Sequence, residues 1–404
     1  MNKKEIAELK KQFKPDNCTI TRIRGCYVDA EKEKKLELTE AFLSLSEEEI
    51  FKYFEIFKKT LSGTIGKNLL NLEFPLSAEN FGGTQEFLLK LKNSRLQDDD
   101  LANQFFDKVI EHYYYGENYY IILVHAAYDV PGKAKDGMEM FDASDEVYEY
   151  LLCSICPVKL SKAGLCYNAE TNRIEDRIRD WLVEVPDKGF LFPAFNDRST
   201  DLHSMLYYSK NAEELQMDFV NEMFGCEIAL TAKEQKETFQ NVIAETLGDD
   251  CDYEIVKNIQ ERLNDVMEEH KDDPNPVTLD KQDVHHLLSL SGVDDEKLET
   301  FDAEYDNAIG EHTALTATNI INTRKFEVKT PDITIQVSPE CADLIETRVI
   351  DGKKCLIITV DDNVTVNGIP AKTIARKDFT DTLNEADTDS ERLIAAAAEP
   401  TAFE

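Results

Sequence analysis

The sequence predicts an α+β fold: an N-terminal mixed or antiparallel sheet with helices, a helical middle and a small C-terminal β unit. Three observations lead to this prediction. Between Tyr119 and Phe195 the chain is rich in aromatic and β-branched residues that are interrupted by turn residues, which is typical of strands. After Lys210 helix-capping patterns return. Beyond Thr323 short apolar runs alternate with hairpin-type turns.

The N-terminal part contains three predicted helices and one predicted loop. An amphipathic helix is expected over residues 2–13. Ser46 and Glu49 form a capping-box pattern ahead of a second helix, which ends near residue 62. A third helix is expected over 98–115, and segment 63–83 reads as a loop because it holds four glycines and one proline. The apolar stripes of the second and third helices consist of Ile50, Phe51, Phe54 and Phe57, and of Leu101, Phe105, Val109 and His112.

The remaining elements follow the same local patterns. Thr231 and Glu234 form a second capping box, and Thr278 is expected to open a later helix. Asp351-Gly352 and Asn367-Gly368 predict hairpin turns in the C-terminal unit. The predicted strands are 119–130, 148–159, 181–195 (with a break at Asp187-Lys188-Gly189), 326–329, 333–337, 347–350, 355–360 and 364–366, and the other predicted helices are 212–224, 231 onward, 253–270 and 278–291.

These elements suggest a division of the chain into four parts. With roughly 100–200 residues in a typical domain, 404 residues allow two or three domains. We expect an N-terminal α+β domain over 1–210, a helical region over 211–322, a small β unit over 323–376 and a flexible acidic tail over 377–404.

Charge is distributed unevenly along the chain. The formal net charge is -35, yet residues 1–35 hold ten basic and six acidic side chains. A basic end on an acidic body can contact nucleic acid or an acidic partner while the rest of the surface stays clear of it. The basic side chains considered as contacts are Arg22, Arg24, Lys32, Lys34 and Lys35, together with Lys67 of a later loop.

Membrane and secretion signals are missing from the sequence pattern. No run approaches the roughly 20 apolar residues that cross a bilayer, and the segment from Met1 to Phe13 does not resemble a signal peptide. We therefore expect a cytoplasmic protein. The nine cysteines are scattered, which fits reduced thiols. Cys153, Cys156 and Cys166 are the one cluster, for which core packing, zinc binding and redox chemistry remain open.

Motifs for catalysis are incomplete. Gly63-Thr-Ile-Gly-Lys67 is too short for a phosphate-binding loop and lacks the following Ser or Thr. Glu327 and Lys329 match half of a metal-dependent nuclease core. His125 lies in an apolar strand and is expected to be a core histidine, and the adjacent His285 and His286 face different sides of a helix. We predict no catalytic residue, no metal ligand and no cofactor.

Three stretches identify the chain as resembling an uncharacterised bacterial family known as a domain of unknown function: Asn17 to Val28, Ser62 to Asn68 and Leu152 to Lys159. A second, weaker resemblance covers about 117–375. It rests on Tyr119 to His125, on Phe219 to Cys226 with Leu230 to Gln235, and on the closing β unit from Phe326 to Pro370 with its end at Val364 to Pro370. It points to the nucleoid-associated, NdpA-type protein family. That resemblance implies a protein found with the bacterial chromosome that contacts DNA and DNA topoisomerases, without an established catalytic centre.

The leading hypothesis is a non-enzymatic, nucleoid-associated accessory protein of DNA transactions that acts mainly through protein partners, with a DNA topoisomerase as one candidate. Direct nucleic-acid contact is expected to be weak and confined to the basic side chains named above, because the acidic body repels a duplex. One alternative is an enzyme with a pocket near Gly63–Lys67 or near Cys153 and Cys156. Another is an acidic DNA mimic from a mobile element. The sequence does not specify the oligomeric state.

Overall fold

The α+β class is confirmed by a computed structural model that describes residues 1–133, 139–228, 230–311, 313–350, 352–360 and 364–371. The chain forms two units, Met1–Thr323 and a second unit that begins at Arg324. The predicted tail over 377–404 lies outside the described residues.

Helices and strands alternate unevenly along the chain. The α-helices of the described residues are α1 (Lys3–Lys10), α2 (Glu47–Thr60), α3 (Thr84–Asn93), α4 (Asp99–His112), α5 (Met217–Phe224), α6 (Ala232–Leu247), α7 (Tyr253–Glu269), α8 (Lys281–Leu290), α9 (Asp295–Ala308) and α10 (Ala317–Ile320). Within this described part of the chain, no helix combines the length and hydropathy that a membrane-spanning segment needs.

The strands of the first unit are β1 (Ile20–Val28), β2 (Lys34–Ala41), β3 (Leu69–Glu73), β4 (Tyr119–Lys133), β5 (Glu139–Leu160), β6 (Leu165–Asn168), β7 (Arg173–Asp176), β8 (Trp181–Val183), β9 (Lys188–Phe192), β10 (Ala194–Asn196), β11 (Ser199–Asp201), β12 (Ser204–Ser209), β13 (Thr278–Leu279) and β14 (Leu315–Thr316). Those of the second unit are β15 (Phe326–Lys329), β16 (Thr334–Val337), β17 (Ile345–Ile350), β18 (Lys353–Ile358), β19 (Val364–Val366) and β20 (Ile369–Ala371).

One large sheet organises the first unit. Its strand order is β2-β1-β4-β5-β9-β12-β3, and β8 pairs with β5 beside this path. All of its pairings are antiparallel, so the antiparallel form of the predicted sheet is the one found. The β4–β5 ladder is the longest and runs from Tyr119 paired with Pro157 to Lys133 paired with Glu139.

Helices cover both faces of this sheet. Side chains of α3, α4 and α5 pack on one face, and side chains of α1 and α2 pack on the other. Successive strand residues point to opposite faces, so Cys153 and Ile155 of β5 lie in the first core while Leu152 and Cys156 lie in the second. Burial on both faces explains why residues 119–128 of β4 and 150–158 of β5 are nearly continuous apolar runs rather than alternating ones.

The helices from α6 to α10 form a third core of their own. The capping box of Thr231 and Glu234 is confirmed, because each side chain bonds the other residue's backbone N–H. The prediction that Thr278 opens a helix is wrong: Thr278 lies in β13, and Asp280 caps α8 through a capping box with Asp283. The two aspartates form the same pair of hydrogen bonds as a Thr-Glu capping box, because each carboxylate accepts a hydrogen bond from a free backbone N–H group at the helix start.

Two further predictions need correction in the first unit. The predicted loop 63–83 contains strand β3, which pairs with β12 at the sheet edge. The predicted break at Asp187-Lys188-Gly189 is displaced: residues 184–187 separate β8 from β9, and Lys188 and Gly189 already belong to β9. Gly189 serves close packing there, because a Cβ atom would lie 2.5 Å from the Cys153 carbonyl oxygen and 2.5 Å from Thr60 Cγ2.

The described residues of the second unit form three hairpins, β15–β16, β17–β18 and β19–β20. The predicted turn at Asn367-Gly368 is confirmed: both residues have positive φ, 51° and 81°, and they join Val366 to Ile369. Of the predicted Asp351-Gly352 turn, Asp351 lies outside the described residues; Gly352 has a positive φ of 74° between Ile350 and Lys353, which pair across β17 and β18.

Candidate functional site

The Gly63–Lys67 loop lies between α2 and β3 and contacts α10 and the residue before it. It follows the end of α2 and turns at Gly66, whose φ is +84°. A Cβ atom at Gly66 would lie 2.9 Å from Thr316 Cγ2, and Asn319 Nδ2 donates to the Gly66 carbonyl oxygen at 3.0 Å. Glycine is required here because the loop approaches α10 closely in a left-handed conformation.

A groove opens on one side of this loop, where α6 begins. Its volume is about 440 Å³, and we call it the Lys67 groove. Asn319 is 95% buried, with its Nδ2 bonded to Gly66 and Gln235. The residues that line the groove are Lys67, Ala212, Glu213, Ala232, Lys233, Lys236, Glu237, Gln240 and Asn319.

A smaller cavity of about 200 Å³ lies on another side of the loop, next to α1. Lys3 and Lys10 line it, and no acidic residue does. Lys10 Nζ donates to Ser62 Oγ at 2.6 Å. Burial lowers the pKa of Lys10, and the neighbouring charges of Lys59 and Lys58 lower it further, so these ammonium groups lie close together.

Seven lysines therefore line these two openings or lie beside Lys10. We call them the lysine patch, and they are Lys3, Lys10, Lys58, Lys59, Lys67, Lys233 and Lys236. Among the residues that the structure describes, none of them has a carboxylate oxygen within 4.0 Å. Even with Glu213 and Glu237 of the groove counted, the patch carries a formal charge of about +5 on a chain of -35.

Arg24, in contrast to the lysine patch, has a carboxylate partner. Its side chain is buried, and its three nitrogens donate to the Leu96 carbonyl oxygen, to Thr39 Oγ1 and to Asp99 Oδ1. Arg22 is half-buried two residues earlier in β1. Contact of either side chain with a partner stays a prediction, and for Arg24 such contact requires release of these bonds.

Lys32, Lys34 and Lys35 lie at the β1–β2 turn and in β2. Lys34 Nζ is 2.8 Å from an Asp107 oxygen, and Lys32 Nζ donates to the Glu111 carbonyl oxygen. Hydrogen bonds with Asp29 and Glu33 raise the pKa of Lys35. These lysines are thus neutralised or occupied within the chain, and their role as partner contacts stays a prediction.

The Cys153-x-x-Cys156 pair lies in the interior. The two thiols project from opposite faces of β5 into different cores, so they do not meet at one metal ion. Burial raises the pKa of both thiols, which disfavours thiolate chemistry. Cys166 lies in β6. Among the described residues, no group of three or more His, Cys, Asp or Glu side chains is arranged to hold a metal.

His285 and Glu327, two of the remaining candidates, make local contacts. His285 Nδ1 is 3.0 Å from Asp302 Oδ1, and Asp306 binds Lys281 Nζ at 2.8 Å. Glu327 of β15 accepts a hydrogen bond from Gln336 of β16.

His125 is fully buried in β4. Its Nδ1 lies 2.8 Å from Thr21 Oγ1, while its Nε2 has no partner in the described part of the chain. Burial lowers the pKa of His125 to about 4 from 6.5, and the charge of Glu149 opposes this shift only partly. The imidazole is therefore neutral in the folded protein at neutral pH.

His125 is expected to make the protein less stable in mild acid. Between pH 6.5 and pH 4 the unfolded chain binds a proton that the folded chain does not, so the free energy of unfolding falls as the pH falls. The loss between pH 7 and pH 5 is about 2 kcal/mol. Urea unfolding at both pH values measures it, and His125→Gln should lose about 2 kcal/mol less than the native chain. Equal losses in the two proteins would show that this histidine is not responsible.

The fold and the patch together define an acidic α+β protein with a segregated cationic surface. The chain belongs to the family described as Domain of unknown function (DUF4317), whose model matches residues 1–369. A search of curated proteins finds no match.

Sequence reasoning placed Lys67 at the site but missed its neighbours. Lys58 and Lys59 were visible as the basic last turn of a predicted helix, and Lys3 and Lys10 lay in the basic N-terminal segment. Lys233 and Lys236 lie about 170 residues after Lys67. Asn319 of α10 links the two segments, because its Nδ2 donates both to the Gly66 carbonyl oxygen of the loop and to Gln235 Oε1 of α6.

Proposed function

We propose that this chain is a non-enzymatic accessory protein of nucleic-acid transactions, of the nucleoid-associated kind that its sequence resemblance implies. In this proposal the lysine patch contacts the phosphate backbone, while the acidic remainder of the surface engages a protein partner. The observation that carries the proposal is the grouping of lysines without carboxylate partners at or beside these two openings, on a chain with a net charge of -35.

Electrostatics sets the expected strength of this contact. Each lysine that neutralises a phosphate releases a counterion and steepens the salt dependence by about 0.9 in the slope of log K against log salt. The patch offers up to seven such groups. The acidic body repels the same duplex, so we expect weak binding that disappears at moderate salt.

The acidic surface supports the second half of the proposal. A strongly negative body complements the positive groove of a DNA-handling protein and steers its association. A DNA topoisomerase is the candidate partner that the resemblance suggests. In such a complex the lysine patch would touch DNA held by the partner, and the local concentration of DNA would compensate for weak binding by the patch alone.

Neutralising the patch is expected to abolish most duplex binding. The variant Lys58→Gln, Lys59→Gln and Lys67→Gln removes three charges that have no carboxylate partner in the described structure. It should lower the salt slope by about 3 and the affinity at about 50 mM salt by roughly tenfold or more. Fluorescence anisotropy of a labelled duplex, titrated at several salt concentrations, measures both quantities.

A matched control removes three lysines that already have carboxylate partners: Lys52→Gln, Lys90→Gln and Lys271→Gln. Its net charge changes equally, so it should bind the duplex nearly as the native chain does. Equal loss in the two variants would mean that affinity follows total charge rather than the patch. Adding a purified topoisomerase to the assay distinguishes cooperation from mimicry, since a DNA mimic would displace the duplex from that enzyme.

A further inference from the structure

A cavity of about 480 Å³ lies between α7 and α8, and we call it the interhelix pocket. It shares no lining residue with the Lys67 groove or with the cavity beside α1. Pockets for small organic molecules have volumes of about 300–1,000 Å³ and often lie between helices. The volume and position of the interhelix pocket therefore suit a small organic ligand rather than a folded partner.

Charged and apolar side chains line the interhelix pocket together. The lining residues of α7 are spaced by three, four and seven positions, and so are those of α8, so each helix contributes a single face. The side chains that carry the ligand chemistry are Arg262, Asp265, Val266 and Glu269 of α7, Leu287 of α8 and Leu279 of β13. A ligand in the pocket can therefore contact cationic, anionic and apolar groups at once.

Arg262 brings a cation without an acceptor to the pocket. Its side chain is half-buried, and its Nε is buried with no hydrogen-bond partner in the described part of the chain. Within the same described ranges, no other nitrogen of this guanidinium donates a hydrogen bond, and no carboxylate oxygen lies within 4.0 Å of it. Guanidinium groups at such positions usually pair with carboxylates or phosphates. Arg262 is therefore available to bind an anionic group of a ligand.

Asp265 and Glu269 bring negative charge to the same wall of the pocket. They lie three and seven positions after Arg262, and neither has a basic nitrogen within 4.0 Å among the residues that the structure describes. Asp283, another carboxylate of the pocket, is already engaged, because its Oδ2 accepts from the Asp280 backbone N–H at 3.0 Å. Asp265 and Glu269 are therefore suited to bind a cationic group, one or two helix turns from the group that Arg262 binds.

The apolar part of the pocket belongs to the third core. Leu279 and Leu287 are 5% and 6% exposed, and Val266 packs against the same core. An apolar group of a ligand gains free energy when such side chains remove it from water. The ligand that matches the pocket therefore carries an anion, a cation and an apolar part.

Ligands with a single kind of charge match the pocket less well. A fatty acid would pair with Arg262 but would add negative charge beside Asp265 and Glu269. A polyamine would pair with these two carboxylates but would leave Arg262 without an acceptor. A small zwitterion pairs with all three side chains.

We propose that the interhelix pocket binds a free α-amino acid with an apolar side chain. Arg262 binds the carboxylate, and Asp265 and Glu269 bind the ammonium group. The apolar side chain lies against Leu279 and Leu287. An α-amino acid carries both charges on one carbon atom, and this arrangement matches Arg262 and Asp265, whose Cβ atoms at this helical spacing are about 5–6 Å apart. The site is independent of duplex binding by the lysine patch.

Isothermal titration calorimetry on the full chain tests the proposal, with the L forms of valine, leucine, isoleucine, methionine, phenylalanine and tryptophan as probes. At least one of them should bind with one molecule per chain. Its N-acetyl derivative lacks the cation and its amide lacks the anion, so each should bind about tenfold more weakly or worse. Absence of binding by every probe at its highest soluble concentration overturns the proposal. A derivative that binds as tightly as the free amino acid overturns it as well.

Substitution of Arg262 locates the binding site. Arg262→Met removes the charge and keeps a long side chain, and no described hydrogen bond is lost, so the native circular dichroism spectrum should persist. Affinity for the amino acid should fall about tenfold or more. Arg173→Met changes an exposed arginine of β7 in the same way and should leave the affinity unchanged. Equal affinities of the Arg262→Met variant and the native chain contradict the proposal.

A second variant tests the site without changing a half-buried side chain. Asp265→Asn with Glu269→Gln neutralises two exposed carboxylates of nearly unchanged shape and should weaken binding of the free amino acid. The matched control, Glu296→Gln with Glu299→Gln, makes the same change of net charge on α9 and should bind as the native chain does. If both variants bind equally, the carboxylates of the interhelix pocket do not hold the ammonium group and the proposal is wrong.

Discussion

Replacing Asp187 with alanine is expected to lower the free energy of unfolding by about 3–5 kcal/mol. Asp187 Oδ2 lies 2.8 Å from Lys188 Nζ and accepts from the Tyr113 hydroxyl at 3.0 Å. The Lys188 side chain is only 1% exposed, so removal of the carboxylate leaves an ammonium group in the core without a counter-charge. Urea unfolding followed by circular dichroism measures the change.

A second substitution tests whether the buried ammonium group of Lys188, rather than a general loss of packing, causes the destabilisation. In the Asp187→Ala background, Lys188→Met replaces the ammonium with an apolar chain of similar length, and it should restore most of the lost stability. Glu117→Ala breaks the exposed pair with Lys159, in which both side chains are more than half exposed, and should cost under about 1 kcal/mol. Failure of Lys188→Met to restore stability would show that the buried charge is not the cause.

Replacing Phe57 with alanine should have an effect of similar size. Phe57 belongs to α2, and its ring is fully buried. The ring centroids of Phe13, Phe42 and Tyr53 lie between 5.7 and 6.1 Å from the Phe57 centroid. Truncation leaves a cavity that these rigid rings fill poorly, so the free energy of unfolding should fall by about 3–5 kcal/mol. Thermal and urea unfolding both report the loss.

Phe51 on the same helix is the matched control. The sequence pattern places it in the same apolar stripe as Phe57, but its side chain is 45% exposed. Phe51→Ala makes the same change in helix propensity and side-chain volume, and it should cost under about 1 kcal/mol. If the two substitutions cost the same, the ring cluster around Phe57 is not the source of the stability.

The sequence predicts correctly those features that depend on residues close together in the chain. The capping boxes at Ser46 and Thr231 and the turn at Asn367-Gly368 depend on residues three positions apart or fewer, and all three are confirmed. Strand β3 was missed because five residues in a glycine-rich segment form a strand only by pairing with β12. Composition predicts a turn at Gly189, because it does not distinguish a turn glycine from one that close packing requires.

The candidate site was predictable only in part for the same reason. Lys67 and the basic N-terminal segment stood out in the sequence, but contacts made by Asn319 bring the loop and α6 together. The carboxylate partners of Arg24 and Lys34 are also distant in sequence, at Asp99 and Asp107. A charge count therefore overstated the free cations of the N-terminal segment and overlooked those of α6.

The edge strand β3 has a consequence for synthesis of the protein on the ribosome. Its pairing of Leu72 with Met205 joins segments about 130 residues apart. At about 5–20 residues per second, the ribosome needs roughly 7–27 s to make the second segment. During that interval β3 has no pairing strand and its apolar side chains are not covered. The nascent chain is therefore exposed to aggregation and to chaperone binding. In a fragment that ends before β12, β3 would stay unpaired and its apolar side chains would stay exposed.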